Sequence, residues 1–461
     1  MPDAKPRPSK PGERYRRLPA GAHGLDSEEV ERDQRERLQS AIVELIAERG
    51  YQAVRILDLT KLAHVSRPTF YGLYTDKEEL LLAAYDEIAQ RTAKIAIEAY
   101  QVEGSQGERL QAAIRAFAEL AAATPEAMSL MVLGAFGAGS KAIEHRNQTL
   151  EALEQSIYAI RSPSSPKEGI ATDLTVKMIL GGIREVTAAR LRQGRARELP
   201  GLADDLTAWA AGYPVELPAG LREEHPAGKR GSAGRSDSPS VSERALRAEG
   251  RLPSGRHDLP RQFIVQNQRE RIVDATASIV AEKGLSNLTI PEIAKRANVS
   301  HHTFYEMYPT KHDAFLGAQK VGMHQALLVM AQAYEAHKDD WPQGVAAGLR
   351  ALLQYLASEP AHSHLILVDT FAATPEAIEI RDKSLHAFAA SYLQPGYRRA
   401  SKDREVPAIV PEAITGGIWQ VLNHYIEDER IGELPDVAPQ LIYAALTPFL
   451  GPRDAAKVAR R

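Results

Sequence analysis

Residues 34–77 align without a gap to residues 268–311 at an offset of 234, with 18 of the 44 positions identical. QRERLQSAIVELIAERGYQAVRILDLTKLAHVSRPTFYGLYTDK lies over QRERIVDATASIVAEKGLSNLTIPEIAKRANVSHHTFYEMYPTK. Agreement over that length marks a duplication, and it restricts the fold to one that can be built twice along a chain. With one residue inserted, the likeness resumes at offset 235. Pro125 lies over Pro360, Phe136 over Phe371, Arg146 over Arg381, Gly181-Gly182-Ile183 over Gly416-Gly417-Ile418, and Glu198-Leu199-Pro200 over Glu433-Leu434-Pro435. Each copy thus runs to about 180 residues, a period that means two whole domains and not a solenoid.

Apolar residues recur at helical spacing in both copies, and no run of alternating β-branched residues argues for a sheet. The expected class is all-α. Leu38, Ala41, Ile42, Leu45 and Ile46 form one stripe, ended by Gly50 where a left-handed cap is wanted, and Ile272, Ala275, Ile279 and Val280, ended by Gly284, repeat it. A short second helix follows at Ile56–Ala63 and Ile290–Ala297, the latter with Thr289 and Glu292 in capping-box register. A tight turn at His64 or Asn298 precedes a third helix capped by Ser66 or Ser300. Asp76 with Glu79, and Thr310 with Asp313, start a longer fourth helix. Three short helices with a tight turn before the third make a helix-turn-helix unit, and each copy has one.

The expected layout is a basic disordered arm at 1–33, helix-turn-helix domains at 34–82 and 263–316, helical regulatory domains at 83–216 and 317–452, a flexible linker at 217–262 and a tail at 453–461. The linker is rich in Gly, Ser, Pro and Arg, and its 46 residues would span roughly 35–40 Å, enough for the copies to pack side by side. The formal charge is −3, yet residues 1–20 carry six Lys/Arg against Asp3 and Glu13 and residues 217–262 carry nine against six, so whole-chain charge does not argue against a nucleic-acid partner. The chain has no cysteine, which removes disulfides, thiolate nucleophiles and the usual zinc-finger ligand sets. The basic, Pro-rich start lacks a secretory core and no apolar run reaches membrane-spanning length, so a soluble cytoplasmic protein without membrane contact is expected.

A short helix fits the major groove, where side chains near its N-terminus reach base edges while flanking groups hold phosphates. Phe70 and Tyr74, like Phe304 and Tyr308, are spaced to enter the small core, leaving Arg67, Pro68, Thr69 and Tyr71 in one copy and His301, His302, Thr303 and Tyr305 in the other to face outward. Lys77 and Lys311 open the fourth helix, where an ammonium and backbone N–H groups would hold a phosphate together.

VSRPTFYGLYTDKEEL and VSHHTFYEMYPTKHDA resemble the recognition-helix signature of the tetracycline-repressor (TetR/AcrR) family, and the resemblance extends into both C-terminal halves. It implies a dimeric repressor whose helical domain binds a small effector and releases double-stranded operator DNA. Here one chain would supply both halves as a pseudo-dimer of tandem units on an asymmetric operator, with further homo-oligomerisation left open. Arg67, Thr69, Tyr71, His301, His302, Thr303 and Tyr305 match the reading part of the family's recognition helix, and Lys77 and Lys311 its phosphate-holding lysine. The family's capping Thr is matched by Thr289 but replaced by Arg55, and its turn glycine by His64 and Asn298, so the first copy is expected to be the less well built for DNA.

The family's dimer interface corresponds to 173–193 with 202–213 and 411–429 with 436–449, which points to Leu180, Gly181, Gly182, Ile183, Gly416, Gly417, Trp419 and Leu422. An effector pocket is expected among 105–160 and 343–400, lined by Met128, Met131, Phe136, Leu365 and Phe371, with no residue naming the effector. Gly134, Gly139, Ser140 and Lys141 lack the order of a phosphate loop, and His362 and His364 are two apart, which on a helix points them apart. No metal, cofactor or enzyme activity is expected. The reading from another class is a small-molecule-binding or protein-interaction module in which one or both helix-turn-helix units no longer bind DNA.

Overall fold

The computed structural model describes Tyr15, residues 27–133, 140–161, 174–214, 261–372, 374–400 and 405–461, and the isolated Pro218 and Leu221. Its described residues are helical throughout, with no strand. The first copy holds α1 (Ser27–Arg49), α2 (Ile56–Leu62), α3 (Arg67–Leu73), α4 (Lys77–Tyr100), α5 (Gln106–Ala123), α6 (Pro125–Leu133), α7 (Ser140–Arg161), α8 (Leu174–Arg192) and α9 (Ala203–Ala211). The second holds α10 (Arg261–Lys283), α11 (Ile290–Ala297), α12 (His301–Met307), α13 (Lys311–Glu335), α14 (Trp341–Ser358), α15 (Pro360–Leu367), α16 (Pro375–Phe388), α17 (Gln394–Ala400), α18 (Val410–Glu427), α19 (Ala438–Leu450) and α20 (Pro452–Ala459). No described helix is long and apolar enough to cross a membrane.

The chain divides into two compact units that do not coincide with the two copies: residues 1–153 with 187–203, and residues 154–186 with 204–461. The second unit therefore contains most of α8 and α9 of the first copy as well as the whole second copy.

In the first unit, Leu38, Ala41, Ile42 and Leu45 of α1 pack with Leu59, Phe70, Tyr74, Leu80 and Leu81 as one buried cluster. Helix α1 ends at Gly50, whose N–H bonds the Ile46 carbonyl at 2.8 Å. Its φ of 75° is positive as the sequence suggests, but its ψ of 156° is extended, a combination open to glycine and nearly closed to other residues, and Gly284 repeats it. In the second unit the same stripe, Ile272, Ala275, Ile279 and Val280, is buried with Ile293, Phe304 and Phe315. A π turn spans Ala389–Leu393, and within it the Tyr392 carbonyl accepts the indole N–H of Trp341 at 2.7 Å.

Three expected boundaries are corrected. Helix α1 begins at Ser27, inside the supposed arm, with Glu28 and Glu29 in the first turn where the helix dipole favours acids. Tyr15 is buried, its hydroxyl donating to Glu44 at 2.9 Å. The supposed tail is α20, which buries Ala455, Ala456 and Ala459 and whose Ala459 carbonyl accepts from Arg350 at 3.0 Å. Within the linker span, Leu221 is buried and α10 begins at Arg261; the rest of 217–260 apart from Pro218 lies outside the described residues.

Candidate DNA-binding interface

A helix leaves its last carbonyls without partners, and the turn before a recognition helix must close over them. In the first copy that task falls to Arg37, an arginine on the buried face of α1. Its guanidinium donates to the carbonyls of Ala63 at 2.7 Å and His64 at 3.4 Å, while Asp33 accepts from its Nε and Nη2 at 2.9 and 2.6 Å. Arg271 does the same in the second copy, donating to the carbonyls of Ala297 and of Asn298, the latter at 2.9 Å. His64 and Asn298, one residue into each turn, both have φ of 51°. The two turns are alike although one carries the poorer left-handed residue. Neither arginine is singled out by the sequence reading; the available signal is a charged residue placed in register with the apolar stripe of an otherwise amphipathic helix.

The helices that follow the two turns, the candidates for recognition, are α3 and α12. Ser66 Oγ accepts the Thr69 N–H at 3.1 Å and Ser300 Oγ the Thr303 N–H at 3.0 Å, so both expected caps form. Phe70 and Phe304 are fully buried, with Tyr74 and Tyr308 beside them at 6.1 Å between ring centres in each copy. Tyr71 and Tyr305 point outward, 50% and 56% exposed, each edge-on to its buried phenylalanine. Arg67, Pro68, His301 and His302 are exposed, and Thr69 and Thr303 are half-buried. His302 lies 3.5 Å from Glu306, an acid that the first copy replaces with Gly72.

The second helix reverses the expectation about capping. Thr289 makes no side-chain cap, and Glu292 is held by the ammonium of Lys283 instead of closing a capping box. In the first copy Asp58 accepts the Arg55 backbone N–H at 3.3 Å and the Arg55 guanidinium at 3.1 Å, so the terminus that lacks the threonine is the one whose acid turns back to it. Arg55 itself remains exposed at the head of α2.

The two lysines that open the fourth helices reach inward. Lys77 Nζ donates to the carbonyls of Tyr51 and Val54, both at 3.1 Å, and lies 4.2 Å from the Tyr51 ring centre. Burial pushes this ammonium below its ordinary range and pushes the Tyr51 hydroxyl up to about 12. Lys311 Nζ donates to the Leu288 carbonyl at 2.8 Å. Each lysine thus ties the start of α4 or α13 to the segment that leads into the second helix.

The family description "Bacterial regulatory proteins, tetR family" matches residues 38–84 and again residues 272–317, the segments that build these two sites. The match covers the helix-turn-helix segment of each copy and leaves the helices that follow it unmatched. Two solved structures align with parts of the chain. One is the fatty acid degradation regulator FadR from Bacillus halodurans, at 18% identity over 39% of this chain and 95% of that one, with a TM-score of 0.36. The other is the transcriptional regulator FadR from Bacillus subtilis in complex with stearoyl-CoA, at 22% identity over 38% of this chain and 96% of that one, with a TM-score of 0.34. No curated protein matches the chain.

Beyond the two matched segments, the second unit brings the paired glycines together. A Cβ on Gly181 would sit 2.5 Å from that of Gln420, and one on Gly182 would strike the Ala413 carbonyl and the Trp209 ring. A Cβ on Gly416 would strike Glu185, and one on Gly417 the Met178 carbonyl. Helices α8 and α18 therefore run against each other at a distance only glycine permits, with Ile183, Trp419 and Leu422 buried and Leu180 half-buried. Arg381, fully buried, donates to Glu185 through Nη1 at 2.9 Å and Nη2 at 2.5 Å and to Asp382 at 2.8 Å, and lies 4.7 Å from the Trp419 ring centre.

Of the residues expected to line a pocket, Met128 and Leu365 are fully buried and Met131 is half-buried. Phe136 and the side chain of Phe371 lie outside the described residues, as do Gly134 and Gly139. His362 and His364 do point apart. His364 Nδ1 lies 2.7 Å from Asp369, whereas His362, buried, lies 3.5 Å from Asp274 of α10 and 3.7 Å from Glu359. Burial pushes the Asp274 carboxyl up to about 7.

Proposed function

We propose that the chain is a ligand-responsive transcriptional repressor that grips an asymmetric operator with both helix-turn-helix units of a single-chain pseudo-dimer. The observation that carries this reading is the pair of recognition helices with matched scaffolding and unlike exposed side chains. The same Ser cap, buried Phe and outward Tyr recur, while Arg67-Pro68 faces out of one and His301-His302 out of the other. Equal geometry argues that both units engage DNA, and unequal surfaces argue that they read different half-sites. Arg67 suits bidentate contact with guanine, and Thr69, Tyr71, Thr303 and Tyr305 suit backbone and base-edge contacts. Arg55 and Thr289 stand at the second-helix termini, and Lys77 and Lys311 keep donors free for phosphate beyond those spent on carbonyls. The seam between α8 and α18 supports pairing of the copies, since it joins the last helices of one to those of the other. An effector would enter the helical domains near Met128, Met131, Phe136, Leu365 and Phe371.

The test is selection of bound duplexes from a random library at near-physiological salt, where non-specific binding is weak. The expected product has two unlike half-sites about one helical turn, ~34–36 Å, or a small multiple apart. A perfect palindrome would overturn the single-chain reading, and no enrichment from folded protein would favour a module that no longer binds operators.

A further inference from the structure

We infer that the seam formed by α8 and α9 with α18 and α19 is a heterotypic surface, shaped so that each copy accepts the other copy and rejects a second copy of itself. The inference rests on the pseudo-dimer reading above. In a two-fold pairing each contact is met by its own equivalent, so homotypic versions of this seam can be built by exchanging aligned residues.

Pairing of two second copies would put Gln420, which aligns with Glu185, opposite the buried guanidinium of Arg381. The bidentate acceptor would be lost, and the amide of Gln420 would stand in its place beside Asp382. A buried cation deprived of its partner is strongly unfavourable. Pairing of two first copies fails sterically. Tyr213 accepts the Trp209 indole N–H at 3.0 Å and donates to the Ala444 carbonyl at 2.9 Å, all three residues being buried. The residue aligned with Ala444 is Trp209, so a second first copy would bring an indole where a fully buried methyl group now fits. One charge and one volume difference thus exclude opposite homotypic pairs, and the arrangement in which Glu185 meets Arg381 and Tyr213 meets Ala444 satisfies both.

The experiment starts from the full chain with a protease site inserted between Ser236 and Asp237. The protein is nicked while folded, unfolded, refolded at equal half-concentrations and weighed by native mass spectrometry. Heterotypic pairs alone are expected. Homodimers of either half at statistical yield would overturn the inference while leaving a paired seam in place; halves that fold yet stay apart would overturn the pseudo-dimer reading itself. Trp209→Ala in the nicked protein is expected to let first-half homodimers appear, and their absence would remove the steric argument. A cycle on the intact chain needs no refolding: Glu185→Gln is expected to lower Tm by more than Glu185→Gln combined with Arg381→Met. Equal losses would show that the charge pair does not act across the seam, and the inference fails.

Discussion

Arg37 reaches from the middle of α1 to the carbonyl of Ala63, 26 residues on, at 2.7 Å, and holds the last turn of α2 where the chain swings into the recognition helix. Arg271 and Ala297 repeat the contact in the second copy. Arg37→Met or Arg271→Met keeps much of the side-chain volume but strands buried carbonyls, which typically costs ~1–3 kcal/mol. Each variant is expected to lower Tm and, at temperatures where it is fully folded, to weaken operator binding, measured by melting and by DNA titration in parallel. Affinity unchanged in a destabilised variant would show that the clamp serves stability alone.

Tyr71 and Tyr305 are exposed, so their removal separates recognition from folding. Tyr71→Ala and Tyr305→Ala are each expected to leave stability within ~0.5 kcal/mol while reducing operator affinity. If only one unit binds DNA, only one of the two substitutions changes affinity.

Asp274 makes stability depend on pH in a direction opposite to that of a salt-bridged acid. Its folded value, about 7, stands above the ordinary 3.8, so the folded chain holds this proton more tightly than the unfolded one. Its contribution is present in full at low pH and is lost as pH rises from about 4 to about 7, at up to ~1.4 kcal/mol per pH unit. Asp274 faces His362, with Glu359, Glu270 and Tyr355 nearby. Asp274→Asn is expected to flatten the fall of Tm across that interval. The first copy has Ser40 and Ala127 at the aligned positions and no counterpart to this behaviour.

Gly417→Ala would drive a methyl group into the Met178 carbonyl. Overpacking of this kind costs ~1–3 kcal/mol, and helical propensity recovers only part of it. A clear loss of Tm is expected, whereas Gly72→Ala, whose Cβ would meet nothing within 4 Å, is expected to be neutral or stabilising.

Much of this was legible in the sequence because it depends on local rules. Apolar spacing marked α1 and α10, serine capping marked α3 and α12, and duplication raised both above coincidence. The glycine pairs, aligned across the copies, pointed to the close approach of α8 and α18. What the sequence concealed depends on distance. Nothing local says that Glu292 answers Lys283 and not its own helix terminus, that Lys77 turns toward the carbonyls of Tyr51 and Val54, or that Arg381 finds Glu185 across 196 positions. The C-terminal helix α20 was missed because its buried face consists of alanines, which carry a weak periodic signal.

The division of α8 and α9 from the rest of their own copy has a consequence in time. Met178, Val186 and Trp209 are buried in a unit completed by α18 and α19, which leave the ribosome about 235 residues later, a delay of about 12–47 s at ~5–20 residues per second. For that interval the nascent first copy displays an apolar seam with nothing to cover it. Its natural cover is still being made, so a neighbouring nascent chain on the same message offers the nearest alternative, and a heterotypic seam would protect the chain while it waits.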